Sequence, residues 1–569
     1  MKIRFWLFFF LFIYNSFDST ISQAQTIPVG TPVLEDAYRR AQLLGEIDSS
    51  ISFTSRPIFP VASVKVTNAF DPFGSLSTER WKKTDDIFRF AKDRGMVQLL
   101  PFTIQQQYNT DHPYSLNDGP MIPARGYQAQ ISGGLFAKFG PLSIQLRPEY
   151  IYAENKDYQG FYKEVNDFKW FEYYEVQLFS DLPEKFGTKP YKKLLWGQSS
   201  IRLSLGPVSI GLSNENLWWG PGMRSSLVMS NTADGFSHYT LNTIKPVRTP
   251  IGSFEGQIIA GRLDNSGFDV PDTTGRTFMG WPIYLRKRDE WRYINAMVLN
   301  YQPKWIPGLF IGMTRSFTKY GSEKDSSFRT LFPVFYPLQR KSQSDVPNRP
   351  KGPDQRVSAF IRWLCVPENA EVYFEYMREN QPDSWRDFML MPEYSRAYIF
   401  GLRKLLPLNR HNGQYIQVNM ELTQIEQTNA NPNWLYRFIY TNKTVTQGYT
   451  NNGQLLGAGI GPGSNMQSLS VSWIKGLKTI GVQFERYVHN NDYQNVAIFD
   501  NRANWVDMSA TGIVEWDWHN LILSGRFENI LSYNYQHFYR PQNPNSGKFF
   551  EPGINVYNFQ AQLGMTYRF

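Results

Sequence analysis

The chain has 569 residues, a formal net charge of +9 at pH 7 and one cysteine, Cys365, which excludes an intramolecular disulfide framework. Beyond residue 24 no apolar run is long enough for a transmembrane helix, and the mean hydropathy is -0.43, which excludes a helical membrane protein. Aromatic residues nevertheless make up 16% of the chain. A polar average with abundant aromatics is typical of a membrane β-barrel, and also of a large secreted β-sandwich or propeller.

The amino terminus predicts export. In "MKIRFWLFFFLFIYNSF", Lys2 and Arg4 precede an apolar run, and the following "SQAQ" carries the small residues Ser22 and Ala24. This order is typical of a cleaved signal peptide, so we assign residues 1–24 to it, with cleavage after Ala24. The apolar run of about a dozen residues is too short for a membrane-anchoring helix.

Residues 25–96 are predicted to form a helical periplasmic segment, beneath or inside the mouth of a barrel. "TPVLEDAYRRAQLLGEI" offers Thr31 as N-cap, Pro32 at the first helical position and Gly45 as a stop signal. "STERWKKTDDIFRFAKDRG" predicts a second helix that ends near Gly95. The alternative is a loosely attached leader.

Residues 97–569 carry the alternation of β-strands. The first strand is expected near "VQLLPFTIQQQ", with Leu100, Phe102 and Ile104 facing outward. "YIQVNMELT" and the terminal "NVYNFQAQLGMTYRF" alternate apolar and polar residues, which gives each strand one apolar and one polar face. A soluble sandwich and a membrane barrel both accommodate this alternation.

Three further features favour the barrel. Short Gly-Pro turns recur at Gly140-Pro141 and Gly206-Pro207, whereas other connections, such as residues 321–356, are long and polar. Aromatic residues cluster near strand ends, as in "EWDWHN". The last strand ends on Tyr567 and Phe569, which resembles the signal read by the outer-membrane barrel assembly machinery. The sequence therefore predicts an all-β, transmembrane antiparallel β-barrel in the cell outer membrane, in contact with outer-membrane lipid and lipopolysaccharide.

The stretch "NLWWGPGMRSSLVMSN" sets two tryptophans against a tight Gly220-Pro221-Gly222 turn. As a sugar site, Trp218 and Trp219 would stack on pyranose rings, with hydrogen bonds from a set of polar residues: Asn216, Ser230, Asn231 and Asp234. As architecture, one tryptophan would anchor in the membrane interface and the other would belong to a packed, inward-folded loop. We favour the architectural interpretation, because interfacial tryptophan is common.

Charged residues in the polar phase of the strands predict a charged lumen. They are Arg147, Glu149, Glu375, Glu421, Glu485, Arg526 and Glu528. Paired carboxylates can hydrolyse glycosidic bonds when held about 5 to 9 Å apart, but charges also line ordinary water-filled barrels. The six histidines lack metal-ligand spacing, and "GAGIGPGSN" lacks the Lys-Ser/Thr of a phosphate loop. We therefore predict no catalysis, metal or cofactor.

Basic residues gather in predicted loops: Arg286, Lys287 and Arg288, then Arg340, Lys341, Arg349 and Lys351. Such loops attract anionic polysaccharide or lipopolysaccharide phosphate, unless salt screens them and they serve only as solvated surface. Nothing in the sequence resembles a nucleic-acid-binding module, so no nucleic acid is expected.

Several segments resemble the capsule assembly Wzi family: "TPVLEDAYRRAQLLG", "LPFTIQQQYNTDHPYSLNDGPMIPARGYQAQISGGL" and, above all, "NLWWGPGMRSSLVMSNTADGFSHYTLNTIKPVRTPIGSFEGQIIAGRL". The similarity runs from about Thr31 to Phe569 and is densest up to about Leu263. It implies an outer-membrane barrel of about 16 to 18 strands with a lectin-like role, the attachment or assembly of capsular or other surface polysaccharide. Arg224 and Glu255 lie in the matching stretch: Arg224 joins the candidate binding residues, and Glu255 joins Gly220, Pro221 and Gly222 as a structural motif. The alternatives are a porin-like channel for oligosaccharides or other small solutes, and a barrel glycosidase.

Overall fold

The computed structural model describes residues 25–74, 76, 88–91, 94–162, 165–270, 275–324, 326–336, 354–379, 385–390, 392–393, 395–427, 439–498, 500–539 and 555–569. Three predicted features lie outside the described residues: the signal peptide 1–24, residues 77–87 of the second helix, and the basic residues Arg340, Lys341, Arg349 and Lys351.

The strands are β1 Ser55–Arg56, β2 Phe88–Phe90, β3 Gly95–Asn109, β4 Gly126–Phe139, β5 Leu142–Leu146, β6 Glu149–Ala153, β7 Tyr191–Leu195, β8 Ser200–Leu205, β9 Val208–Ser213, β10 Trp218–Trp219, β11 His238–Thr243, β12 Val247–Thr249, β13 Gly252–Leu263, β14 Thr277–Phe278, β15 Trp281–Pro282, β16 Arg292–Pro303, β17 Leu309–Tyr320, β18 Asp354–Cys365, β19 Ala370–Glu379, β20 Arg396–Asn409, β21 Gln414–Gln424, β22 Thr450–Asn451, β23 Gln454–Leu455, β24 Asn465–Lys475, β25 Lys478–Val488, β26 Val506–Trp518, β27 Leu521–Tyr533 and β28 Asn555–Tyr567.

The α-helices are α1 Pro32–Leu43, α2 Pro60–Ser63, α3 Asp167–Leu178, α4 Phe328–Leu331, α5 Trp385–Leu390 and α6 Asn491–Tyr493. Short 3-10 helices cover Gly321–Glu323, Pro333–Phe335, Val366–Glu368, Arg410–Asn412, Asn501–Ala503 and Tyr535–His537, and a π-helical turn covers Gln494–Ile498. Among the described residues, none of the helices has the length and apolar composition needed to cross a bilayer.

A closed antiparallel barrel of 18 strands forms the body of the protein. Four pairs of segments each share one barrel strand: β5 and β6, β7 and β8, β11 and β12, and β2 and β28, which both pair with the same side of β3. The last strand closes the barrel against the first, from Tyr567 beside Phe102 to Gln560 beside Asn109. Short turns lie at one end and long connections at the other, so the long connections face the cell surface.

Apolar side chains cover the outside of the wall and polar side chains line the lumen. Along β5, Leu142, Ile144 and Leu146 are exposed, whereas Ser143 and Gln145 are buried. Exposed Trp363, Trp516 and Trp518 lie near the short turns, as expected for an interfacial girdle. An apolar outer wall around a polar lumen is stable only in lipid, which confirms the predicted membrane barrel.

One outward assignment is wrong. Leu100 points inward and is buried, while Phe102 is exposed. The pairing of β3 with β4 shifts register between Leu100 and Thr103. Such a bulge adds a residue to one strand and reverses the phase of the side chains before it.

Helix α1 is confirmed, with Thr31 at the N-cap position and Leu44 at the C-cap. It lies inside the short-turn end of the barrel, where Leu34 and Tyr38 pack in one apolar cluster with Leu100 and Ile522 of the wall. The amino-terminal segment thus fills this mouth.

The described end of the second predicted helix is instead a strand. Residues 88–90 form β2, which pairs with β3 from Phe88 beside Val97 to Phe90 beside Gly95. The rings of Phe88, Phe90 and Phe139 stack at 5.8 and 6.0 Å. Pairing with a neighbouring strand overrides the weak local preference for helix.

Candidate functional site

Residues 214–237 leave the wall after β9 and fold into the lumen before β11. Strand β10 within this segment pairs with β1 of the amino-terminal segment, Trp219 beside Ser55 and Trp218 beside Arg56. Both indoles are buried, and Trp219 Nε1 donates a hydrogen bond of 3.0 Å to Gln257. The expected membrane anchor is therefore wrong, because Trp218 and Trp219 both lie inside the barrel.

A cation covers the ring of Trp218. The Arg56 guanidinium lies 4.5 Å from the indole centroid, and its Nη1 donates to Glu35 at 2.8 Å. A cation over an indole is a favourable contact that becomes stronger on desolvation. One face of Trp218 is thus already occupied by the protein itself.

The Gly-Pro-Gly turn makes contacts that only glycine allows. Gly220 has φ +123°, and a Cβ atom there would lie 2.6 Å from a Glu375 carboxylate oxygen. A Cβ atom at Gly222 would lie 2.0 Å from the Ser225 carbonyl oxygen. The turn therefore packs closely against the wall at Gly220 and against the following residues of its own segment at Gly222.

Two wall carboxylates hold the residues after the turn. Backbone amides of Met223, Arg224 and Ser225 donate to Glu421 at distances of 2.7 to 3.1 Å. The Arg224 guanidinium donates two bonds to Glu485, at 2.8 and 2.7 Å. Burial opposes the charge, but the Glu485 carboxylate prevails and raises the pKa of Arg224 above its ordinary value.

The polar candidates tie the inward segment together. Asn216 Nδ2 donates to Asn231 at 2.6 Å and to the Ala233 carbonyl at 2.9 Å. Ser230 Oγ donates to the Gly457 carbonyl at 2.5 Å. These bonds join the segment to itself and to a second folded-in stretch, residues 439–464.

The remaining candidates continue this network. Asn231 Nδ2 donates to the Asn117 carbonyl at 2.8 Å. Asp234 accepts from Asn451 at 2.8 Å and from Asn452 at 2.9 Å, and burial raises the pKa of its carboxyl. Glu255, on β13, accepts from the backbone amide of Ser52 at 2.6 Å. Each of these candidate side chains thus bonds to another segment of the protein.

A cavity of about 370 Å³ remains between α1, the inward segment and the wall, and most of the residues that line it are polar. Of the candidate residues only Trp218, Arg224 and Asn231 line it, together with four of the predicted luminal charges, Arg147, Glu149, Glu421 and Arg526. The other three, Glu375, Glu485 and Glu528, are buried in the barrel and do not line the cavity. Among the described residues, no group of His, Cys, Asp or Glu is placed to hold a metal ion.

Side-chain amides that the sequence did not single out as site residues also line this cavity, among them Gln417, Asn419, Gln483 and Gln562. The signal was available, because each occupies the inward phase of an alternating strand. Amides, hydroxyls and charges of both signs suit water or a ligand rich in hydroxyl groups.

Sequence reasoning also missed a packed cap at the long-loop end. Helix α3 packs in one apolar cluster with Phe161, which precedes it in the same connection, and with residues of other surface connections: Val270, Ile283, Tyr493 and Ala497. The rings of Phe161 and Tyr173 stack at 3.9 Å, and Trp170 stacks on Tyr174 at 5.4 Å. The aromatic density of "DFKWFEYY" was the signal for this cluster, which gives the surface loops a core of their own.

The β14–β15 hairpin extends from this cap. Phe278 stacks on Phe171 of α3 at 5.1 Å, and Ile283 is buried behind the hairpin. At the tip, Trp281 is 76% exposed and Met279 is 84% exposed. The cap thus presents an indole on an anchored hairpin.

Two of the three described basic loop residues are engaged within the loops. Arg288 forms ion pairs with Glu290 at 2.6 Å and with Glu323 at 3.4 Å. Lys287 donates to the Ser180 carbonyl, and burial lowers the pKa of its ammonium. Arg286 is exposed. These contacts leave less positive charge for an anionic polymer than the sequence predicts.

The apolar wall, the closed sheet and the occupied lumen define an integral β-barrel protein of the outer membrane. This protein belongs to the capsule assembly protein Wzi family, whose model matches residues 102–537. Family and fold confirm the predicted resemblance, the barrel and the outer-membrane location.

A solved structure with the same fold is Wzi of Escherichia coli, described as an outer-membrane, carbohydrate-binding β-barrel involved in group 1 capsule assembly. It has 11% identity and a TM-score of 0.58, over 96% of this chain and 100% of that one. OccAB2 of Acinetobacter baumannii has 10% identity and a TM-score of 0.39, over 84% and 98% of the two chains. A BenF-like porin of Pseudomonas fluorescens has 8% identity and a TM-score of 0.35, over 83% and 98%. No curated relative matches the sequence.

Proposed function

We propose that this protein retains capsular or another surface polysaccharide at the outer membrane by lectin-like binding, without catalysis. The observation that carries the proposal is the cap, which places an exposed Trp281 on an anchored hairpin at the cell-surface end of the barrel. An indole face suits the apolar face of a pyranose ring, and a preorganised ring loses little freedom on binding.

The inward segment supports this role indirectly. Its candidate residues are bonded to other parts of the chain, and the Arg56 guanidinium already covers one face of Trp218. We infer that the segment builds the platform under the surface loops, while sugar binds outside it. We therefore assign Trp218 and Trp219 an architectural role, which is the interpretation that the sequence favoured over sugar binding.

Carboxylate engagement supports binding without hydrolysis. A glycosidase needs one carboxylic acid to protonate the leaving oxygen and one free carboxylate to act as base or nucleophile. Glu421 accepts three backbone amides and Glu485 is occupied by Arg224. These engagements favour a structural use of both groups.

A porin-like channel is the second candidate, favoured by the cavity inside the barrel. The amino-terminal segment and the two folded-in stretches occupy much of the same lumen, which supports retention over transport. Conductance of the purified protein in a planar bilayer separates the two: steady open-channel current favours transport, and its absence favours retention.

Binding of purified polysaccharide to the detergent-solubilised protein tests the cap. We expect Trp281→Ala to weaken binding on the order of fivefold, because a stacking face is lost. Trp305→Ala is the matched control, since Trp305 is 67% exposed at the short-turn end. Equal binding by wild type and both variants would contradict a site at the hairpin.

A further inference from the structure

We propose that the outer wall of the barrel holds an anionic lipid, with one acyl chain in a groove across β3–β7 and a phosphate at Lys192. This site faces the bilayer and is separate from the cap, so it does not depend on the proposed function. The lipid we assign to it is the lipid A part of lipopolysaccharide.

The groove is an apolar depression of about 400 Å³. Four exposed side chains border it: Phe102, Ile131, Tyr150 and Leu194. They lie in the apolar, outward phase of the wall, where the surrounding medium is hydrocarbon. The group that can occupy this depression is therefore a lipid acyl chain.

Breaks in neighbouring strands produce the depression. Gly133 and Gly134 supply no side chain at the bulge of β3, and the strand formed by β5 and β6 is interrupted at Pro148. A Cβ atom at Gly134 would lie 1.8 Å from the Leu146 carbonyl oxygen, so the chains approach too closely there for any other residue. The groove is thus built into the strand geometry.

The positive charge of Lys192, at the cell-surface end of the groove, favours a lipid with a negatively charged headgroup. Lys192 follows the long 154–190 connection and lies two residues beyond Leu194, at the cell-surface side of the wall. Its Nζ lies 5.8 Å from the Tyr152 ring on the outer face, whereas its neighbour Lys193 lies 3.4 Å from Asp234. An ammonium at this level meets the phosphates of an outer-leaflet lipid, and lipid A carries phosphate there.

Native mass spectrometry of the full-length protein, loaded in turn with lipid A, phosphatidylglycerol and phosphatidylethanolamine, tests the site. We expect one lipid A to be retained in preference to the other two, and Lys192→Gln to reduce its retention about fivefold. Lys478→Gln is the matched control, because Lys478 lies 4.6 Å from the Trp516 ring at the opposite end of the wall.

A second pair of variants tests the groove itself. Gly133→Ile would fill the depression, since a Cβ atom there points at Phe102 Cδ2 at 3.1 Å, while Gly512→Ile adds the same bulk where nothing lies within 4 Å. We expect only Gly133→Ile to lose lipid A, with folding checked by heat-modifiable electrophoretic mobility. If Gly133→Ile does not fold, the Lys192 comparison decides. Equal retention of all three lipids, or retention unchanged in Lys192→Gln, would overturn the proposal.

Discussion

Glu421 and Glu485 show how single residues hold the inward segment. Tyr373 also donates to Glu421, at 2.6 Å, so this carboxylate has a hydroxyl and three amides around it. Removing one member of a buried charge pair leaves the other uncompensated, which costs more than the pair contributes.

We therefore expect Glu485→Gln to destabilise the barrel by about 3 kcal/mol, because Arg224 would keep its charge without a carboxylate. The measurement is the free energy of unfolding in urea, followed by electrophoretic mobility. The double variant Arg224→Met with Glu485→Leu is the control, and we expect it to be more stable than Glu485→Gln alone. A double variant less stable than the single one would contradict the account.

Gly220 and Gly476 both have positive φ, but only Gly220 is closely packed. Comparing Gly→Ala at the two positions therefore distinguishes the stability cost of close packing from the cost of the backbone conformation. Gly220→Ala places a methyl group 2.6 Å from the Glu375 carboxylate at φ +123°, and we expect a loss of about 2 kcal/mol. Gly476 has φ +59° with open space around it, so Gly476→Ala should cost about 1 kcal/mol. Thermal unfolding of both variants checks the order, and equal losses would argue against the packing of the turn on the wall.

Among the helices and strands, the local sequence pattern predicted those features that depend only on neighbouring residues in the chain. The phase of β5, β21 and β28 follows from alternation, and the bounds of α1 follow from Thr31, Pro32 and Gly45. The bulge after Leu100 and the pairing of β2 with β3 depend on a neighbouring strand. Nothing in the residues around Phe88 alone distinguishes a strand from a helix end.

Several polar contacts hold α1 in the barrel mouth, among them those of Arg39, of Arg40 with the Gly476 carbonyl and of Gln42 with Arg362. Arg39 donates to Glu371 of β19 at 2.8 Å and to the Pro221 carbonyl at 2.9 Å, so one side chain joins the helix, the wall and the inward segment. Glu371 also binds Arg362, at 2.6 Å. A substitution of Arg39 therefore tests what holds the amino-terminal segment in the barrel mouth.

We expect Arg39→Ala to loosen α1 and to increase current through single barrels in a planar bilayer, because a buried carboxylate loses a partner. Arg248→Ala is the control: Arg248 pairs with Asp48 between the same segment and the wall, but its side chain is 71% exposed. Unchanged conductance in Arg39→Ala would show that the other contacts of α1 hold the segment in place without Arg39.

At the scale of the whole molecule, the protein has a filled short-turn end, a partly filled lumen and a packed cap. The sequence predicted the barrel and its family, because alternation and the motif around Trp218 are continuous in the chain. It could not place the motif inside the lumen, since Trp219 meets Gln257 and Ser55 only after the sheet has closed. The cap depends on residues as far apart as Phe161 and Tyr493.

The remaining predictions concern assembly and processing. Cleavage after Ala24 and recognition of Tyr567 and Phe569 by the barrel assembly machinery stay predictions. The rings of Tyr567 and Phe569 contact each other edge-to-face at 5.2 Å at the end of the last strand. The two aromatic residues therefore lie at the end of β28, the strand that closes the barrel against β3.

Attachment of polysaccharide by this protein is tested by measuring how the polymer divides between cells and medium in a deletion strain, alone or complemented with wild type or with Trp281→Ala. We expect the deletion strain to make the polymer but release it, wild type to restore retention, and Trp281→Ala to restore it only in part. Polymer retained at the surface of the deletion strain in its usual amount would contradict a role in attachment.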